Sequence, residues 1–156
     1  VSFERLRDPE AIAFWPSGIG RDGARTPMPW QRDANMAGFT EAPDAWLPLD
    51  PRHRALAVDT QSSDDSMLSF TRAMIALRRA SPALREGEFV SLDAPEPVLA
   101  FERRTDDERV LCLFNLGPEP VKRPASGGPV RLAVGQAELG TAAASLGGYS
   151  ALFIAG

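Results

Sequence analysis

Ser66-Met67-Leu68-Ser69-Phe70-Thr71-Arg72-Ala73-Met74-Ile75-Ala76-Leu77-Arg78-Arg79-Ala80 is the clearest helical signal in the chain, and the other two zones of the sequence lie on either side of it. Met67, Phe70, Met74 and Leu77 recur at the spacing of one helix face, and Leu68 and Ile75 widen that face. Asp64, Asp65 and Ser66 offer capping oxygens ahead of it. Arg78 and Arg79 stand at its end, where the helix dipole favours positive charge, and Pro82 closes the run.

Beyond about residue 88 the texture changes to short β-rich runs. Val98 to Arg103 and Arg109 to Asn115 flank Thr105-Asp106-Asp107-Glu108, which reads as a hairpin turn. Phe89 to Leu92, Val130 to Val134 and Tyr149 to Ile154 are further strand candidates. Gly117-Pro118, Gly127-Gly128-Pro129 and Gly147-Gly148 punctuate them, so an antiparallel sheet or sandwich is expected. Ahead of the helix, residues 1–64 are rich in Pro, Gly, Asp and Trp and show no sustained periodicity. Trp15, Trp30, Trp46, Phe14 and Phe39 are costly to leave in water, so this zone is expected to be a long ordered loop packed on something rather than disorder.

Composition narrows the function classes. With 156 residues and 44% hydrophobic content the chain can bury a core. A net charge of −4 and a pI near 5.0 argue against a nucleic-acid partner, which needs a basic surface. The single cysteine, Cys112, excludes an internal disulfide framework and zinc-finger spacing, and inside a strand it reads as a packing residue. No stretch approaches the roughly 20 apolar residues that span a bilayer, so no membrane partner is expected. The chain opens on Val1 with no visible leader, as expected of a trimmed or partial polypeptide; with the lone cysteine this gives an expectation of cytoplasmic placement. No cofactor or metal is called for.

The densest polar constellation is Gly20-Arg21-Asp22-Gly23-Ala24-Arg25-Thr26-Pro27-Met28-Pro29-Trp30. Two arginines and an aspartate within five residues are framed by Gly and Pro, which can hold a loop in one conformation. Arg21, Asp22 and Arg25 are therefore the candidate substrate-binding residues, since a fixed guanidinium can grip a carboxylate or sugar hydroxyls bidentately. The plainer alternative is an ion pair of Asp22 with Arg21 or Arg25 that only braces the loop. His53 lies between Arg52 and Arg54 with no nucleophile context, and Asp64 and Asp65 read as caps. The tryptophans could stack on sugar rings, although packing within the loop is their commoner fate.

The 20–30 stretch resembles a signature of bacterial α-glucosidases and oligo-1,6-glucosidases of the α-amylase family. Flanking blocks resemble that family in the same order: Phe3-Glu4-Arg5-Leu6-Arg7-Asp8-Pro9, Phe14-Trp15-Pro16, Ala37-Gly38-Phe39-Thr40, Trp46-Leu47-Pro48, Val58-Asp59 with Gln61, Leu77-Arg78-Arg79, and Pro82-Ala83-Leu84. The likeness covers residues 1 to about 116 and fades over the last 40; Ala24 stands where relatives often carry Cys.

The resemblance implies a fold and a role. Residues 1–85 would be the last loop and helix of a (β/α)8 TIM barrel, and residues 86–156 an antiparallel all-β C-terminal domain, a β-sandwich. In relatives the second arginine of the signature pairs with an aspartate of an early barrel loop and binds the non-reducing terminal glucose; that position is Arg25, with Arg21 and Asp22 bracing. A retaining glycosidase needs two carboxylates about 5–5.5 Å apart, and the family's motifs for them, like its Asn-His-Asp motif, are absent from this sequence. The expectation is thus the C-terminal portion of an α-glucosidase, inactive alone. Its partners would be an α-glucoside or oligosaccharide substrate and the missing N-terminal barrel portion. The alternative is a non-catalytic sugar-binding or structural module completing a split barrel.

Overall fold

The computed structural model describes residues 1–18, 20–123, 127–135 and 145–156. The chain divides into two compact units, Val1–Ser69 and Phe70–Gly156.

The first unit has one short α-helix, α1 (Pro9–Ala13), and a succession of 3-10 turns. Asp8 caps α1, accepting the Glu10 N–H at 3.1 Å, and Pro9 occupies the first helical position, where no N–H is needed. The turns at Asp22–Arg25, Asn35–Gly38, Pro51–Leu56 and Val58–Thr60 give this zone order without periodicity. Its buried apolar residues are Leu6, Ala11, Ala37, Leu47 and Ala57. The expectation that its aromatics pack within the loop needs correction. Phe14 is 64% exposed and Trp46 62%, and Trp15, Trp30 and Phe39 are each about half exposed. Leucines, alanines and the two aspartates Asp8 and Asp22 are among the buried residues of this unit, and the large rings stand on its surface, where among the described residues Trp15 pairs with Phe3 at 5.7 Å.

Helix α2 spans Met67–Ala80 and α3 spans Pro82–Glu86. Ser66, rather than Asp64 or Asp65, supplies the capping oxygen of α2, accepting the Ser69 N–H at 3.1 Å, while Gln61 Oε1 takes the Leu68 N–H at 3.0 Å. The single apolar face read from the sequence divides in two. Met74 and Leu77 pack into a cluster on one side of the β-sheet, whereas Met67 (69% exposed) and Ile75 (47%) lie open. Residues 74 and 77 are one turn apart; Met67 lies two turns before Met74 on nearly the same stripe but is exposed at the start of the helix, while Ile75 is turned about 100° from Met74 and lies outside the packed cluster.

The second unit is built on a five-stranded antiparallel sheet in the order β1-β2-β3-β7-β5. Its strands are β1 (Glu88–Leu92), β2 (Val98–Arg104), β3 (Arg109–Asn115), β5 (Val130–Val134) and β7 (Ser150–Ala155); β4 (Val121–Lys122) pairs β6 (Ser145–Leu146) as a separate ribbon. The hairpin read at 105–108 is present: Thr105 N–H donates to the Glu108 carbonyl at 2.8 Å. Alternation along the strands sends Val98, Ala100, Leu113, Leu152 and Ile154 to one face with Leu146 of the ribbon. Val110, Cys112, Ala151 and Phe153 go to the other face, under Ala83, Leu84, Met74 and Leu77. Cys112 is fully buried, and burial pushes its thiol pKa up to about 11, as suits a packing residue.

Candidate substrate-binding loop

The constellation at 20–30 is held at both ends, by different means. At its start Gly20 takes a left-handed φ of 59° and lies against α1; a Cβ there would sit 2.3 Å from the Ala11 Cβ. Arg21 then closes on Asp8. Its backbone N–H and Nε donate to Asp8 Oδ2 at 2.8 and 3.0 Å, and Nη2 donates to Oδ1 at 3.2 Å. Asp22 completes the interlock from the other side, its Oδ2 accepting the N–H groups of Arg7 at 2.6 Å and Asp8 at 2.9 Å. Both carboxylates are buried. The Arg21 guanidinium and backbone N–H hold the Asp8 carboxyl well below the usual carboxylate range, against the opposing effect of burial.

The ion pair expected of Asp22 with Arg21 or Arg25 is therefore not the one that forms. Arg21 pairs with Asp8, thirteen residues upstream, and Asp22 serves backbone donors. The reason is geometric. Asp22 opens a 3-10 turn, Asp22–Arg25, and is turned inward to the chain entering α1, while Arg21 precedes the turn and faces the α1 cap. A carboxylate that takes two N–H groups at the start of a turn is already committed.

The far end of the stretch is pinned by backbone bonds. Pro29 and Trp30 carbonyls accept the N–H groups of Val58 and Asp59, both at 3.1 Å, and the N–H groups of Trp30 and Gln31 donate to the Ala37 carbonyl at 2.8 and 3.0 Å. Asp59 takes the Arg32 N–H on both oxygens at 3.0 and 3.1 Å, and Arg54 Nη1 donates to the carbonyls of Arg32 and Ala34 at 2.6 and 3.0 Å.

Arg25 lies between these two anchors. It is exposed, and among the described residues its guanidinium, like that of Arg7, makes no hydrogen bond or ion pair, whereas Arg5, Arg21, Arg52 and Arg54 of the same unit are engaged. Beside its turn is an open cleft of about 510 Å³ bordered by Gly23, Thr26, Asp50 and His53. His53 is half-buried in the turn Pro51–Leu56, whose first carboxylate, Asp50, is gripped by Arg52. No group of three or more His, Cys, Asp or Glu able to hold a metal occurs among the described residues. Asp8 and Asp22 are the buried acids of the loop: both oxygens of Asp8 accept N–H donors, while Asp22 accepts two on Oδ2 and its buried Oδ1 has no partner among the described residues. Sequence reasoning missed Asp8: Asp8-Pro9 reads as a helix cap, and nothing local to it announces a second role toward Arg21.

Residues 1–87 match the model of the α-amylase catalytic domain. The chain belongs to the α-amylase family of glycoside hydrolases. Residues 86–153 match a domain of unknown function, DUF3459. Among relatives of this α-amylase family chain, a probable α-glucosidase of Rhizobium meliloti is 40% identical over 130 residues, covering 79% of this chain and 23% of that protein. A probable oligo-1,6-glucosidase 2 of Bacillus subtilis is 33% identical over 119 residues, covering 75% and 21%. The crystal structure of an α-glucosyl transfer enzyme, XgtA, superposes with a TM-score of 0.76 at 39% identity, covering all of this chain and 30% of that one. The chain thus spans about a quarter of the length of the proteins it matches. It comprises the end of the α-amylase catalytic domain followed by an antiparallel sheet domain. No helix among the described residues is long and apolar enough to cross a membrane.

Proposed function

We propose that these residues are the C-terminal part of a retaining α-glucosidase that releases terminal non-reducing α-linked glucose from oligosaccharides, and that Arg25 is their contact with substrate. The observation that carries this reading is the unpaired Arg25 guanidinium set between two fixed anchors. A free, always-charged, planar donor on a pinned loop is suited to a carboxylate or to vicinal hydroxyls. Arg21 and Asp22 contribute by holding the turn, their polar atoms being directed to Asp8 and to the chain before α1. Hydrolysis also requires a nucleophilic carboxylate and an acid/base carboxylate about 5–5.5 Å apart, which in this reading come from barrel polypeptide outside these 156 residues. Its place of action is read as the cytoplasm, where a lone buried thiol such as Cys112 needs no disulfide partner.

The test is Arg25→Ala in the polypeptide that includes the whole barrel. The expected result is a kcat/KM for a terminal α-glucoside lowered about 100-fold, the loss of one or two hydrogen bonds from a charged group, with an unchanged melting temperature. Unaltered kcat/KM removes Arg25 from the site. Release of the α-anomer of glucose, read by NMR before mutarotation, supports retention, and release of the β-anomer refutes it. The 156-residue chain alone should release no glucose from maltose. A second reading, transfer of the glucosyl unit to a sugar rather than to water, is favoured by the likeness to XgtA along the full chain; the ratio of free glucose to transfer product separates the two.

A further inference from the structure

We propose that Asp8 is the positioning residue for Arg25, acting through Arg21 and Asp22; this rests on the substrate role given to Arg25 above. Asp8 is fully buried, and its carboxylate accepts four N–H donors: Glu10 and Arg21 from the backbone, and Nε and Nη2 of the Arg21 side chain. One of these bonds caps α1. The other three fix Arg21, the residue immediately before the turn that carries Arg25, in backbone and side chain together. The Asp8 N–H in turn donates to Asp22, the first residue of that turn.

Two consecutive loop residues are thus tied to one helix cap in both directions, and the Ala24 N–H closes the turn on the Arg21 carbonyl at 3.1 Å. Only Gly23 and Ala24 separate Asp22 from Arg25, and the chain beyond is held again from Pro29 onward. The direction in which Arg25 leaves the backbone therefore depends on where Arg21 and Asp22 sit, and that is set at Asp8. The arrangement exceeds what capping α1 requires, since a five-residue helix gains its cap from one oxygen and one N–H. Gly20, whose missing side chain lets the loop lie against Ala11, leaves no slack at the start of the turn.

Asp8→Asn separates the two duties, because asparagine keeps one oxygen for the cap but cannot accept the guanidinium fork. In the polypeptide that includes the whole barrel, Asp8→Asn is expected to lower kcat/KM for a terminal α-glucoside about 10- to 100-fold, the scale on which small misplacements of a binding group act. In an Arg25→Ala background the same substitution is expected to change kcat/KM less than about twofold, because the group it positions is gone. Arg21→Lys, which cannot form the fork, is the second variant and should behave alike, so the proposal stays testable if Asp8→Asn fails to fold. A loss of equal size with and without Arg25 would overturn the proposal while leaving the role of Arg25 intact. An Arg25→Ala enzyme with unaltered kcat/KM would overturn both. Amide exchange of Arg21 offers a reading on the 156-residue chain itself. Exchange should be at least about tenfold faster in Asp8→Asn, and an unchanged rate would mean that Asp8 does not hold the loop.

Discussion

Glu108 joins three elements of the second unit and gives a prediction that can be worked from its contacts. Its side chain is 15% exposed. Oε2 accepts the Ser81 hydroxyl at 2.9 Å and the Ala83 N–H at 2.8 Å, while Oε1 takes the guanidinium of Arg131, which lies where the β5–β7 register shifts. Ser81 itself caps α3 through the Leu84 N–H, so Glu108 secures the start of α3 to the β2–β3 hairpin and to β5. In Glu108→Ala a buried N–H and a buried hydroxyl lose a charged acceptor, and Arg131 loses its partner. At about 1–2 kcal/mol for each buried bond, with little added for the partly exposed ion pair, the cost is about 3 kcal/mol. Glu108→Gln retains an oxygen for Ala83 and Ser81 and should cost about 1 kcal/mol. Urea unfolding followed by pulsed alkylation of Cys112 reads this unit selectively, because that thiol is fully buried among its strands. Trp15, Trp30 and Trp46 all lie in the first unit, so their fluorescence serves as an internal control. A Glu108→Ala midpoint within about 0.5 kcal/mol of the parent, or a Gln variant less stable than the Ala variant, would refute the reasoning.

Acid titration extends the same test. Burial raises the Glu108 pKa, but the Ala83 N–H, Arg131 and Ser81 outweigh it and leave a net depression. A folded pKa below the unfolded value near 4.3 means that the contribution is whole above that pH and is lost as pH falls through the folded value. The stability gap between parent and Glu108→Gln should therefore close in acid; a gap that widens below pH 4 contradicts the direction. Gly20→Ala places a side chain at φ 59° against Ala11 and is expected to destabilise by about 3 kcal/mol, seen as an earlier tryptophan transition. Cys112, with its thiol pKa pushed up to about 11, should resist iodoacetamide at pH 8 for hours when folded and react within minutes in urea; rapid labelling of the native chain would contradict its burial. The 156-residue chain should bind a hydrophobic dye and self-associate through Phe14, Trp46, Met67 and Ile75, whereas a dye-silent monomer would show these side chains to be covered.

What the sequence disclosed and what it withheld follow from the range of the forces involved. Periodicity and turn chemistry are local, and they located α2, the 105–108 hairpin and the main strands to within a residue or two. The resemblance supplied the barrel end and the sheet domain, and the family match at residues 1–87 agrees with it. Local rules failed where a residue's partner was distant in sequence. Nearness along the chain pairs Asp22 with Arg21 or Arg25, whereas the carboxylate that Arg21 meets belongs to Asp8. Adjacent residues on a turn point away from one another, so nearness along the chain is a poor guide to pairing in a loop without period. The divided apolar face of α2 shows the same limit, since a helical wheel gives the angle of each side chain but neither the width of the surface that receives it nor how far along the helix that surface reaches.

Those two failures share a physical cause that bears on the function of the loop. A segment such as 20–30 has no ladder of repeating bonds, so its conformation must be fixed by a few long-range contacts, each of which carries more of the order than a bond within a helix does. Asp8, Asp59 and Arg54 supply such contacts, and each acts on the backbone flanking Arg25 rather than on Arg25 itself. Were the loop's order needed only for stability, the simplest arrangement would also give the Arg25 guanidinium an internal carboxylate, and Asp22 stands three positions away to provide it. Instead Asp22 is turned inward to Arg7 and Asp8, and Arg25 is left with its donors unspent. That division of labour is what a binding group requires: a backbone immobilised by its neighbours and a charged tip still open to an external acceptor.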